Sequence, residues 1–368
     1  MSLQMGIVGL PNVGKSTLFN ALTAAGAAVA NYPFCTIDPN VGVVEVPDER
    51  LSVLAGMVHP KKITPASMEF LDIAGLVRGA SRGEGLGNQF LGHIRSVDAI
   101  GMVVRCFSDS NVTHVEGSVD PIRDIETITT ELCLADLSSV EKRSARARKD
   151  AKSGDRKNSE IADGLDALAA HLNDARPART FALSEDLEPV VEELHLMTNK
   201  PVLYIANLDE ADMVALGTSK PAMLAAVEGY ADTEGAQTVA VSAKIEAELA
   251  ELEPDDAKLY MEELGLPDGG LPRMIKASFA LLKLITFLTA GEPEVRAWTI
   301  RRGTKAPQAA GTIHSDIERG FIRAEVTAYD ELVAAGSFAT ARERGQTRLE
   351  GKDYPMQDGD VVYFRFNV

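Results

Sequence analysis

The chain has 368 residues, 45% hydrophobic and 25% charged, enough for two or three domains with cores of their own. A formal net charge of −17 excludes broad attraction to nucleic acid, so any RNA contact must come from a local basic patch. No apolar run approaches the roughly 18 residues of a membrane span, and Cys35, Cys106 and Cys133 lack metal or redox spacing, which fits a reducing cytosol.

The first strand, expected over Met5–Val8, begins almost at once, leaves no room for a signal peptide and points to the cytoplasm. It runs into Gly9-Leu10-Pro11-Asn12-Val13-Gly14-Lys15-Ser16, a complete G-x-x-x-x-G-K-[ST] phosphate loop, and Thr17–Leu22 continues as a helix. In such a loop the backbone of Asn12, Val13, Gly14, Lys15, Ser16 and Thr17 surrounds the phosphates, and the helix N-terminus adds positive potential. Lys15 would reach the terminal phosphates as a catalytic cation, and the Ser16 hydroxyl would hold Mg²⁺.

Further strand-like runs follow at Val41–Val46, Met68–Leu71, Ala99–Cys106, Pro201–Ala206 and Thr238–Val241. Most are separated by helical patterns, which reads as a parallel α/β sheet. Thr36, between the first helix and second strand, can complete the Mg²⁺ shell and sense the γ-phosphate. Asp72-Ile73-Ala74-Gly75 closes the third strand as a D-x-x-G element, with Asp72 holding Mg²⁺ through a water and the Gly75 amide on the γ-phosphate. Gly79, Gly83, Gly85 and Gly87 make Gly79–Asn88 a flexible segment suited to a nucleotide switch. Leu76 stands where Ras-like enzymes carry the glutamine that orients the attacking water. His114, in the loop after Ala99–Cys106, is on the ligand-bearing end of the sheet and is the candidate for that task; the alternative is an exposed loop histidine. His93 is a weaker candidate.

The stretch from Cys106 to Pro201 is too long for one crossover and has no good strand. Ile125, Ile128 and Leu132 have helical spacing, and Ile161, Leu165, Leu168 and Leu172 form a heptad-like seam. Polar Lys152–Asn158 reads as the tip of an inserted hairpin. Lys142, Arg143, Arg146, Arg148, Lys149, Lys152, Arg156 and Lys157 make that tip basic, with Asp150 and Asp155 the acids expected nearby. The pattern suits a solvated helix face or a contact to RNA phosphates.

Asn207-Leu208-Asp209-Glu210 follows the Pro201–Ala206 strand, where guanine-specific proteins carry N-K-x-D. Leu208 and Glu210 replace the lysine and the aspartate that accepts from the guanine N–H groups, so guanine preference is lost and ATP use follows. Ser242-Ala243-Lys244 matches the last base-contacting loop. Residues 245–291 read as helical, broken at Leu266–Gly270. From Glu294 a small mixed β domain is expected, with strands at Val295–Ile300 and Val361–Phe366, a helix at Tyr329–Ala335 and a turn at Asp358-Gly359-Asp360.

The phosphate loop, Thr36, Asp72–Leu76, Asn207–Glu210 and Ser242–Lys244, in this order, resemble the YchF-type Obg-like ATPases of the translation-factor class of P-loop proteins. Asn31–Phe34, Asp38–Asn40 and Ala306–Gly311 are similar to that family's signatures. The resemblance implies an α/β P-loop domain over 1–130 and 200–280, an inserted coiled-coil hairpin over 131–199 and a TGS-like β-grasp domain over 281–368. It also implies Mg²⁺-dependent hydrolysis of ATP to ADP, K⁺ bound at Asn12, and a monomer on the large ribosomal subunit, away from membranes; the basic hairpin is then the candidate contact to rRNA. Two alternatives stay open: a GTPase in which Glu210 still reads guanine, and a nucleotide-gated scaffold with incidental hydrolysis, which Leu76 favours.

Overall fold

A computed structural model describes residues 3–25, 40–73, 86–114, 117–151, 156–266 and 269–367. The chain forms two units, Met1–Gly42 with Glu69–Ala277, and Val43–Met68 with Ser278–Val368.

The first unit starts with β1 (Gln4–Val8) and α1 (Lys15–Ala25). The unit boundaries fall inside β2 (Val41–Glu45) and β4 (Ser67–Asp72), with α2 (Arg50–Val58) and β3 (Ile63–Thr64) between them. Then come α3 (Leu86–Ser96), β5 (Ala99–Cys106), α4 (Pro121–Ala151), α5 (Arg156–Asn173), α6 (Glu188–Glu193), β6 (Val202–Leu208), α7 (Glu210–Ala215), α8 (Ala222–Glu234) and β7 (Gln237–Val241). Helices α9 (Ala243–Leu249), α10 (Pro254–Glu263) and α11 (Gly270–Leu281) follow. The sheet order is β2-β4-β1-β5-β6-β7, and β1, β4, β5, β6 and β7 pair in parallel. Every residue of β5 and β6 is buried, as an inner strand covered by helices on both faces requires. That is why these strands read as continuous apolar runs rather than as alternation. The C-terminal ends of β1, β4, β5 and β6 gather on one edge, where parallel sheets bind ligands.

In the insertion, Asp120 caps α4 by accepting from the amides of Ile122 and Arg123. Ile161, Leu165, Leu168 and Leu172 of α5 pack on Cys133, Val140 and Ala147 of α4, so the heptad-like seam is the hairpin core. Asp136 on α4 is buried yet satisfied: it accepts from the amides of Met197 and Thr198 at 3.1 and 2.8 Å and from Thr198 Oγ1 at 2.7 Å. The basic tip has more acidic partners than expected. Arg148 pairs with Asp163 and Asp166, Arg156 with Glu160, and Lys157 with Asp186. Asp163 and Asp166 reach Arg148 from α5, and Asp186 reaches Lys157 from the chain after that helix, neighbours that spacing within the tip does not reveal. Lys142, Arg146 and Lys149 are exposed at i, i+4 and i+7 of α4, on one stripe.

The second unit adds β8 (Leu284–Ala290), β9 (Val295–Arg301), α12 (Ala306–Ile313), α13 (Ser315–Arg319), β10 (Phe321–Ala328), α14 (Tyr329–Ala335), α15 (Phe338–Glu343), β11 (Arg348–Glu350) and β12 (Asp360–Phe366). Its sheet order is β11-β10-β12-β8-β9-β3, with β8 and β12 parallel at its centre. Ala306, Ala309 and Ala310 of α12 share a core with Phe287, Phe321, Val326 and Phe364, giving a β-grasp arrangement. Leu284–Ala290 is a strand, not the end of the helical stretch expected over 245–291. Its first five residues are buried, and an unbroken apolar run suits a buried helix or a central strand equally. Residues 43–68, read from sequence as part of the nucleotide domain, complete this unit. Helix α2 packs on β8, β9 and α14, and β3 pairs with the edge of β9. Arg50 anchors α2 through Asp48, Thr286 Oγ1 and Asp358 at 2.7–2.9 Å. Among the described residues no helix is long and apolar enough to cross a membrane.

Candidate nucleotide site

The chain leaves β1 into the phosphate loop, where Asn12 has φ 64° and Gly14 φ 90°. Asn and Gly are the residues that tolerate this region most readily. Gly14 is also demanded by space, because a Cβ there would collide with Asn207 Nδ2. That approach is functional packing. Asn207, at the end of β6, donates from Nδ2 to Val13 O at 2.8 Å and accepts at Oδ1 from the Ala243 amide at 2.9 Å. One buried side chain therefore clamps the phosphate loop to the Ser242–Lys244 loop.

Lys15 opens α1 and is buried in an ion pair with Asp72 at the end of β4. Ser16 and Thr17 are exposed on the first turn of α1. Beside them lies a cavity of about 590 Å³, within the usual range for a small-molecule site. Gly14, Thr17, Asn207, Leu208, Glu210, Ala243 and Lys244 line it, so residues singled out along the chain converge here. Leu208 is buried and gives the cavity an apolar wall. Lys244 lies 3.4 Å from Glu210 and 3.9 Å from Glu248. Ser242 is buried, and its hydroxyl has no hydrogen-bond partner among the described residues.

Phe107, Ser108 and Asp109 form a further wall that no sequence motif announces. Their one signal is position, in the loop outside the carboxyl end of β5. That loop ends at Thr113, whose carbonyl accepts from Asn12 Nδ2 at 3.0 Å, and at His114. His114 is not an exposed loop residue: its side chain is 3% accessible and Nε2 lies 2.9 Å from Asp124 Oδ2 in the first turn of α4. Burial raises the Asp124 pKa, against the opposing pull of His114. The expectations for Thr36, Gly75, Leu76, most of Gly79–Asn88 and the signatures at 31–34 and 38–39 lie outside the described residues, as do Lys152 and Asp155.

A phosphate loop after β1, a metal-binding type of carboxylate after β4 and a base-sized cavity at β6 and β7 define a P-loop nucleoside triphosphatase of the switch class. Residues 4–135 match the family model described as 50S ribosome-binding GTPase, and 284–367 match YchF-GTPase_C, described as a protein of unknown function. Over the full length of both chains it is 57% identical to the ribosome-binding ATPase YchF of Bacillus subtilis (strain 168) and 50% identical to that of Escherichia coli O157:H7. The solved structure of the Schizosaccharomyces pombe YchF GTPase superposes with a TM-score of 0.87 at 39% identity, covering 99% of this chain and 98% of that one. The chain belongs to the YchF family.

Proposed function

We propose that this chain is a cytoplasmic ATPase that hydrolyses ATP to ADP and phosphate in preference to GTP, and that it works on the ribosome. The relatives' names differ on the nucleotide, ATPase in the bacteria and GTPase in the yeast. The observation that carries the reading is the cavity wall. A guanine reader keeps a carboxylate available for two N–H donors, but here Glu210 is engaged by Lys244 and Leu208 replaces the lysine. Adenine makes no such demand.

Lys15 meets the negative charge that develops on the transferred phosphoryl group. The Ser16 hydroxyl and Asp72 carboxylate are hard oxygen donors that fit Mg²⁺, with Thr36 as a further donor, and the ion would supply neutralisation of phosphate charge. The Asn12 amide nitrogen is committed to Thr113, which leaves Oδ1 for a monovalent ion such as K⁺. Gly75 supplies an amide to the γ-phosphate, and Ser242 and Ala243 border the base. With Leu76 unable to orient water, His114 takes that role after parting from Asp124. The exposed stripe Lys142, Arg146 and Lys149 suits rRNA phosphates on an otherwise acidic monomer, which supports this stripe as the surface facing the large subunit.

Calorimetric titration of the nucleotide-free protein with ADP and GDP tests the reading. ADP is expected to bind at least a few-fold tighter, about 1 kcal/mol. Equal or tighter binding of GDP would give the GTPase alternative its place.

A further inference from the structure

We propose that Arg105 is a positioning residue of the nucleotide site, holding the loop 107–113 so that one end walls the base cavity and the other braces the phosphate loop. The inference rests on reading the cavity as the nucleotide site. Arg105 is the next-to-last residue of β5, is 1% exposed and is among the largest fully buried side chains. Among the described residues no carboxylate pairs with it, and its Nη1 has no hydrogen-bond partner. A strand buried on both faces would be better served there by valine or leucine, because an unpaired buried guanidinium is expensive.

What the guanidinium does instead is collect the next loop. Nε donates to Phe107 O at 3.2 Å, and Nη2 donates to Val112 O at 3.0 Å and, at longer range, to Asp109 O at 3.4 Å. The guanidinium carbon also lies 4.5 Å from the centroid of the Phe107 ring, within cation–π range. Phe107 and Asp109 line the cavity, and Thr113, one residue past Val112, accepts the Asn12 hydrogen bond. One rigid fork with fixed donors thus sets both ends of the loop before nucleotide arrives, which lowers the ordering cost of binding. A lysine has the charge but not the planar fork.

The test uses the full chain with Arg105→Lys and Arg105→Met. ADP affinity is expected to fall about tenfold in each, and ATP KM to rise in step. Amide exchange in 107–113 should quicken while β5 and β6 stay protected. Wild-type ADP affinity and unchanged loop exchange in a folded Arg105→Lys protein would overturn the inference, as would weaker binding traced only to a lower Tm with exchange raised throughout β5. If neither variant folds, wild-type exchange decides: the loop should be protected before ADP is added, and free exchange there would remove the idea. A wild-type chain that bound no ADP would remove the nucleotide reading itself. Normal wild-type binding with unaffected variants would remove the role of Arg105 alone.

Discussion

Lys15, at the start of α1, and Asp72, at the end of β4, neutralise one another in a largely buried ion pair. Phosphates that take up Lys15 must compete with that carboxylate, which links the phosphate loop to the D-x-x-G element chemically. Lys15→Ala should lower ATP turnover by roughly 10²-fold or more, since it removes the side-chain cation proposed to meet charge on the transferred phosphoryl group. Wild-type turnover in that variant would remove the phosphate-loop assignment. His114 presents the opposite situation, a side chain whose proposed task requires it to leave a buried partner. His114→Ala should lower kcat by roughly 10²-fold with ADP affinity near wild type. Unchanged kcat together with a lower Tm would leave His114 as the structural partner of Asp124.

The hairpin of α4 and α5 separates its core seam from its charged face. Its seam of Ile161, Leu165, Leu168 and Leu172 is an ordinary core, while Arg148, Arg156 and Lys157 serve partners inside the insertion. The exposed stripe of Lys142, Arg146 and Lys149 is the surface proposed above for rRNA. Replacing Lys142, Arg146 and Lys149 together by glutamate should weaken co-sedimentation with ribosomes and flatten its salt dependence, each phosphate contact contributing about one unit of slope. Basal ATP turnover should not change. Undiminished ribosome binding would move the contact to another surface.

The second unit is built from two distant stretches of chain. Leu51 and Leu54 of α2 are 5% and 0% exposed, the helix packs on β8, β9 and α14, and Arg50 pins its start to Thr286 and Asp358. A fragment of 278–368 alone lacks this helix and the β3 partner of β9. It should melt at lower temperature than the same fragment co-expressed with or fused to 43–68, by several kelvin for each kcal/mol lost in a unit this small. Equal melting would show that 43–68 adds nothing to that core.

The phosphate loop, Asp72 at the end of β4, the loops Asn207–Glu210 and Ser242–Lys244, the parallel strands and the hairpin seam were legible along the chain because each is local. A glycine at a fixed offset, an apolar run of strand length or a repeat of leucines needs no knowledge of distant residues. The same letters say nothing about burial partners. Asn207 reads as a base contact and stands as the clamp between two loops; His114 reads as an exposed loop residue and is buried on Asp124. Phe107, Asp109 and Arg105 carry no motif and join the site through the position of β5 beside β1. Leu284–Ala290 suits helix and strand equally until β9 and β12 flank it, and 43–68 finds its place only where β9 leaves an edge. Short-range pattern specifies elements and chemical groups, whereas long-range packing selects which of them meet, and in this chain it is packing that turns separate motifs into one cavity.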